Sequence, residues 1–299
     1  MFKKWRRQST ADRVFDIINY AILLFLFLIC IYPLYYVLII SFNSQATGVY
    51  LWPKDFSLAA YEMVLKDSNI WLGYANTIFY TVANVLCSLL VMTPCAYALS
   101  RKDFVGRGLI MGMIMVTMFV SGGLIPGYLN MKNLGLLNSR WGIVLNGLVT
   151  TYNVIVAKTF FSTTIPDELL EATKIDGGGN FVFFTKVVLP LSKPILAVLT
   201  LYVGVGRWNS YFTEMIYLRD KNLYPLTLYL RRLLSSVEAM VAMLSEGMVE
   251  ETTAAMMSMQ MATIMQYCLI VVSTLPMMIL YPFMQKYFAK GVMIGSVKG

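Results

Sequence analysis

Six apolar runs constrain this chain more than any other feature: residues 17 to 41, 73 to 99, 109 to 129, 141 to 162, 191 to 213 and 259 to 284. Each is close to the roughly 20 residues a helix needs to cross a hydrocarbon layer about 30 Å thick. Inside hydrocarbon every backbone N–H and C=O must be paired by the protein itself, so only helices and closed barrels span it. Barrel strands read as segments of about ten residues with alternating polarity, which these runs are not. With 58% of 299 residues hydrophobic and 13% charged, the chain is read as an all-α polytopic membrane protein with six transmembrane helices. Residues 1 to 16 form an N-terminal tail, 17 to 284 the transmembrane domain and 285 to 299 a C-terminal tail.

Charge gives this topology a direction. With both termini on one side, that side holds fifteen basic and seven acidic residues, and the other holds nine of each, so the net charge of +8 lies on one face. Lys and Arg near span ends favour the cytoplasm, which predicts a multi-pass protein of the cell membrane with both termini cytoplasmic. Trp52, Trp71 and Trp141 fall near predicted outer span ends, where interfacial rings are favoured. The basic residues are scattered between apolar runs without a continuous patch or interleaved aromatics, which argues against nucleic-acid binding.

The remaining inventory is mostly exclusions. Cys30, Cys87, Cys95 and Cys268 all lie in predicted spans without C-x-x-C spacing, which suits small packing residues better than a disulfide or zinc framework. There is no His, no Gly-x-x-x-x-Gly-Lys-Ser/Thr loop for phosphates and no Gly-x-Ser-x-Gly, so neither ATP binding nor catalysis by this chain is supported. The first run is longer than a signal-peptide core and no small-x-small cleavage site follows it, so it reads as a retained helix.

Between the spans, residues 42 to 72 form an external loop in which Ser57-Leu-Ala-Ala-Tyr61 opens a short surface helix. Arg101 to Arg107 is a tight cytoplasmic turn at Gly106. Residues 121 to 140 are apolar yet rich in Gly, Pro and Asn, a composition that suggests re-entrant or interfacial backbone, tolerated at membrane depth only when shielded or facing a water-filled cavity. The external segment 214 to 258 is the largest soluble piece, read either as a solvated loop or as a docking surface for an external partner.

The cytoplasmic segment 163 to 190 is polar and well punctuated. Thr164 is placed to cap a helix of about 165 to 176, with Pro166, Asp167 and Glu168 in the first turn complementing the dipole. Gly177 to Gly179 then end it, since Gly supplies the positive φ of a helix C-terminus. Asn180 is read as the cap of the next element, which Pro190 stops before Pro194 starts the fifth span. Glu171 points away from the membrane, and Leu169, Ala172 and Thr173 leave a small-residue face.

These residues resemble the permease subunits of type I ABC importers, whose cytoplasmic signature is Glu-Ala-Ala, three residues, Gly, nine residues, an aliphatic residue, one residue, Leu-Pro. Here it stands as Glu171-Ala172-Thr173, Gly177, Val187 and Leu189-Pro190, with Thr173, Val187 and Gly178 as mild departures. Tyr97-Ala-Leu-Ser-Arg101, Gly122-Gly-Leu-Ile-Pro126, Leu223-Tyr-Pro225-Leu226 and the tail from Tyr281 to Gly295 are similar to the maltose-type carbohydrate branch, most of all to permeases for complex oligosaccharides. The resemblance implies the type I importer permease fold, alternating access, and a coupling helix that enters a groove of a separate ATPase subunit. Glu171 would reach polar or basic groups there, Ala172 would allow close approach, Asp176 would support the turn and Gly177 would make it. It further implies no cofactor on this chain, with ATP and Mg on the ATPase dimer. The other partners would be a second, non-identical permease, an extracytoplasmic solute-binding protein, the sugar and membrane lipid.

Sugars are held by aromatic stacking and by amide and hydroxyl hydrogen bonds. Tyr74, Asn76 and Thr77 in the second span, and Trp208, Asn209, Ser210 and Tyr211 in the fifth, are the candidates for the substrate path. Asn76 reads equally as helix-packing glue, and Trp208 and Tyr211 as interface anchors. Arg207, at the edge of the fifth span, needs a partner or water. Competing readings are a permease for another small polar solute, a channel or receptor subunit, and a membrane enzyme, the last requiring an acid-base or metal constellation that is missing.

Overall fold

The computed structural model describes residues 9–44, 52–245 and 253–291. Parts of four predicted regions lie outside them: both tails, the first external loop at 45–51 and the 214 to 258 segment at 246–252. Among the described residues there is no strand, only an isolated bridge between Asn43 and Phe56. The chain divides into two compact units, residues 1–67 with 233–273 and residues 68–232 with 274–299.

In the first unit, α1 (Thr10–Ser41) starts at Ser9, whose Oγ accepts the Asp12 N–H at 3.2 Å. Its only buried residues are Ile39, Ile40 and Ser41, so most of its apolar surface is left for lipid. A short α2 (Ala59–Lys66) opens where Ser57 was expected to start it, with Ser57 Oγ accepting from Ala59 N at 3.3 Å. Tyr61 donates its hydroxyl to Ser41 Oγ at 2.8 Å, and the buried Cys268 thiol donates to Ser41 O at 3.3 Å.

The second unit is built on α3 (Ser68–Ser100). One stripe of α3 is buried at helical spacing: Ile70, Gly73, Thr77, Tyr80, Asn84, Ser88, Met92, Ala96 and Leu99. Ile78, Val82, Leu86 and Leu90 on the other face are exposed. The stripe meets α7 (Thr151–Thr164) and α10 (Lys193–Trp208). Without a hydrophobic drive between helices in lipid, close contact relies on small residues. Gly204 of α10 is one, buried opposite Val85 of α3.

Two predicted spans are not single helices. The run 109 to 129 is α4 (Arg107–Phe119) and α5 (Leu124–Asn133), bent by 117°, because Gly123 at φ 84° turns the chain where hydropathy registers only apolar residues. The run 141 to 162 is α6 (Arg140–Leu145) and α7, separated by a turn at Gly147, φ 73°. Among the described residues three helices are each long and apolar enough to cross a membrane, or five when α4 with α5 and the bent pair Asn180–Leu191 with Lys193–Trp208 are each one span; α6 and α7 are not among them. The bend at 121–123 lies in the segment where irregular backbone was expected.

The segment from 214 differs from its reading as a soluble piece. Glu214 and Tyr217 in α11 (Phe212–Tyr217), together with Leu218, Tyr224, Leu226 and Leu228, are buried. Beyond them α12 (Leu226–Ser245) and α13 (Thr253–Gly291) complete the described chain. What buries the start of the segment is a polar clamp on α3. Asn76 Nδ2 donates to Asn222 O at 2.8 Å and Tyr224 O at 3.1 Å, Tyr80 donates to Leu223 O at 2.8 Å, and Thr77 Oγ1 accepts from Leu226 N at 2.9 Å. Gly73 allows this approach, since a Cβ there would lie 3.2 Å from Leu226 Cα.

Candidate functional site

The segment 163–190 folds as α8 (Asp167–Ile175), a glycine turn and α9 (Asn180–Leu191). Three boundary expectations are corrected. Thr164 does not cap α8: it ends α7, its buried Oγ1 has no partner, and Pro166 holds the N-cap position with extended backbone. Proline disfavours helical backbone in the residue before it, which moves the start to Asp167. Asn180 is the first helical residue of α9, and Gly179 occupies its N-cap. Pro190 does not stop α9. It sits just beyond a π-turn at Phe184–Val188, and the 75° bend falls at the buried Ser192. Proline cannot donate to the carbonyl four residues back, and the wider turn precedes that gap.

The C-terminus of α8 is a Schellman turn, in which Gly178 N donates to Thr173 O at 2.8 Å and Gly177 N to Lys174 O at 3.0 Å, with Gly177 at φ 80°. Asp176 supports this turn through its backbone N–H, bonded to Ala172 O at 3.0 Å, and its carboxylate is exposed. Leu170 is the anchor, 3% exposed in a core with Phe161 and Phe183, a burial that stabilises by roughly 1.5–3 kcal/mol. Glu171 and Ala172 are exposed, Thr173 is half-buried with its hydroxyl on Leu169 O, Leu189 is half-buried and Pro190 exposed. One helical turn beyond Glu171, Ile175 is 85% exposed, and Phe181, past the glycine turn, is 78% exposed.

A charge cluster ties α8 to the end of α3, and no sequence motif pointed to it. Arg101 grips Asp103 with two hydrogen bonds of 3.0 Å, and Lys102 donates to Asp167 at 2.9 Å with Arg101 3.7 Å away. The Lys102 hydrogen bond holds the Asp167 carboxyl below the usual range, and the Arg101 hydrogen bond does the same for Asp103.

The path candidates do not converge. Asn76 is 2% exposed and its amide is occupied: beyond the two carbonyls, Arg140 donates to Oδ1 at 3.3 Å. Tyr74 is half-buried with its ring 6.1 Å from Trp71, Trp208 is buried, and Asn209 and Tyr211 are exposed. None of these five lines the cavity of about 250 Å³ beside Arg207, although Ser210 does. Its other polar walls include Asn84, Thr150, Asn153, Tyr202 and Thr213. Arg207 finds its partner in Glu214, 1% exposed, at 3.1 Å, and also donates to Asn146 O at 2.5 Å. Seven residues separate the two charges, but only the turn at 209–211 brings them together.

No family model matches the chain. It is 38% identical over 292 residues to the polygalacturonan/rhamnogalacturonan transport system permease protein YtcP of Bacillus subtilis, covering 96% of this chain and 99% of that protein. It is 35% identical to Protein LplC of the same organism, covering 97% of each. To the diacetylchitobiose uptake system permease protein NgcG of Streptomyces coelicolor it is 26% identical, over 98% and 92%. Among solved structures, a bacterial ABC transporter involved in the import of the acidic polysaccharide alginate superposes with a TM-score of 0.82 at 37% identity, covering 94% of this chain and 99% of that one. With an all-helical, lipid-adapted fold and relatives matched nearly end to end, the chain belongs to the family of sugar ABC importer permeases, transport subunits served by a separate ATPase.

Proposed function

We propose that this permease imports an oligosaccharide across the bacterial cell membrane, with both termini in the cytoplasm, and couples to its ATPase through α8. The observation that carries the coupling role is the surface of α8 and its turn. Glu171 and, one helical turn on, Ile175 stand exposed on α8, and Phe181 is exposed just past its turn, large apolar side chains that water does not favour, while Leu170 and the Asp167 cluster fix the helix to the transmembrane part. Ala172 gives the docked surface little bulk. Gly177 makes the turn, and Leu189 and Pro190 carry the chain on to the α9–α10 bend. ATP and Mg belong to the ATPase dimer. A second, non-identical permease completes the path, and an extracytoplasmic binding protein delivers the sugar.

Relatives support the substrate class without fixing the sugar, since their names run from polygalacturonan/rhamnogalacturonan to diacetylchitobiose, arabinooligosaccharides and maltodextrin. The test is uptake by the assembled complex. Glu171→Lys and Gly177→Pro are expected to leave the chain inserted while ATPase binding and uptake are lost; normal assembly and uptake by both variants refutes the role.

A further inference from the structure

We infer that the cavity beside Arg207 is a saccharide subsite on this subunit, and that it takes an uncharged, hydroxyl-rich ring in preference to a uronate. The inference rests on the reading of the chain as an oligosaccharide permease. A volume of about 250 Å³ is below the roughly 300–1,000 Å³ of pockets for drug-sized ligands, which fits one ring rather than an extended chain.

Its polar groups are built in and incompletely used. Asn153 is 5% exposed, lines the cavity, and among the described residues its amide has no hydrogen-bond partner. Its amide atoms are not among the buried unpaired ones, so they reach the cavity space and are open to a ligand or water there. Asn84, 2% exposed, donates Nδ2 to Val144 O at 2.7 Å, which leaves Oδ1 to accept. Thr150 and Thr213 add hydroxyls, and Tyr202 an aromatic side chain. Amides that donate and accept, with hydroxyls that do both, match sugar hydroxyls.

The charge class follows from the ion pair. Among the described residues Arg207 is the one charged residue lining the cavity, and it is already engaged by Glu214 and Asn146 O. Glu214 in turn accepts the Ser210 hydroxyl at 2.8 Å. The pair is neutral as a unit, so a carboxylate entering here loses its hydration without meeting an uncompensated cation.

Galactotriose and trigalacturonate share ring stereochemistry and differ in the carboxylate, which makes them a matched pair of probes. Their binding is measured by equilibrium dialysis on the purified complex of both permeases and the ATPase, without the binding protein and its own selectivity. The wild type is expected to bind galactotriose at least tenfold more tightly. Asn153→Leu should weaken that binding tenfold or more with the complex still assembled, since a site built to hydrogen-bond a hydroxyl is spoiled when its partner is removed. Glu214→Gln, whose amide oxygen still accepts from Arg207 while its NH2 donates to the Ser210 hydroxyl oxygen, removes the compensating charge and should shift the ratio at least tenfold towards trigalacturonate. Preference of the wild type for the acid, no binding of either probe, or unchanged binding in both variants overturns the inference. Uptake of oligosaccharides by the full complex is measured separately: uptake with any of those outcomes sinks the subsite alone, whereas no uptake of any oligosaccharide sinks the functional reading and the subsite with it.

Discussion

Thr173 and Gly178 stand where the importer signature carries alanines, and the structure makes the two departures a matched pair. A Cβ added to Gly178 would lie 2.6 Å from Thr173 Cγ2 and 3.0 Å from Thr173 O. The threonine is held in that rotamer by its hydroxyl, which donates to Leu169 O at 2.8 Å, so the methyl cannot simply turn away. Gly178→Ala alone should therefore cost about 1–3 kcal/mol, the usual range for overpacking. Thr173→Ala alone should be neutral or stabilising by up to about 0.7 kcal/mol through helix propensity. With the γ-methyl gone, only the 3.0 Å contact to the carbonyl remains, and alanine at 178 recovers about 0.4–1 kcal/mol of unfolded-chain entropy. The double variant should then lie near the wild type, with a coupling energy of about 1–3 kcal/mol. The assay is affinity of the purified permease pair for the ATPase subunit, where each 1.4 kcal/mol is tenfold, together with protease sensitivity of the turn. Additivity of the two substitutions within about 0.5 kcal/mol would refute the steric argument.

Three further outcomes follow from the same geometry. Glu214→Ala strands Arg207, whose side chain is 9% exposed, and should destabilise the permease by about 3–5 kcal/mol, seen as a lower melting temperature in detergent that Glu214→Gln, which returns a hydrogen bond but not the charge, restores only in part. Asn76→Leu leaves the Asn222 and Tyr224 carbonyls without their donor at about 1–3 kcal/mol for each group that stays buried and unpaired, and should expose the 219–226 segment to hydrogen exchange. Asp167 and Asp103 have folded pKa values below 3.8, so their contribution is complete above that value and is lost as pH falls through the lowered one. Hydrogen-exchange protection factors of the α8 amides should therefore be equal from pH 5 to 8 and fall only in strong acid; a change across neutral pH would contradict the carboxylate assignment.

Much of α8 and its turn was legible because its signals are local. Acidic residues at a helix start and positive φ at Gly177 act within a few bonds, so spacing alone places α8 and its turn. The boundaries moved by two residues where proline acted on its neighbour, at Thr164–Pro166, and where a π-turn carried α9 past Pro190. The path candidates were the least legible. Asn76 looked like a solute ligand because an amide in an apolar run is conspicuous, yet a backbone segment some 146 residues later in the chain consumes it. Asn84 and Asn153, the amides that do line a cavity, carry the same signal and drew no attention.

The lipid-facing, all-helical class follows from the sequence, because hydrocarbon forces each apolar run to satisfy its own backbone, and so do α8 and its turn, because acidic first-turn residues and glycine geometry act at short range. Tertiary structure alone decided which polar residues hold the fold and which face a cavity, and that Arg207 is neutralised by Glu214. Those outcomes depend on where α3, α7 and α10 meet, and in a membrane that packing rests on small residues and specific hydrogen bonds rather than on a periodic hydrophobic pattern.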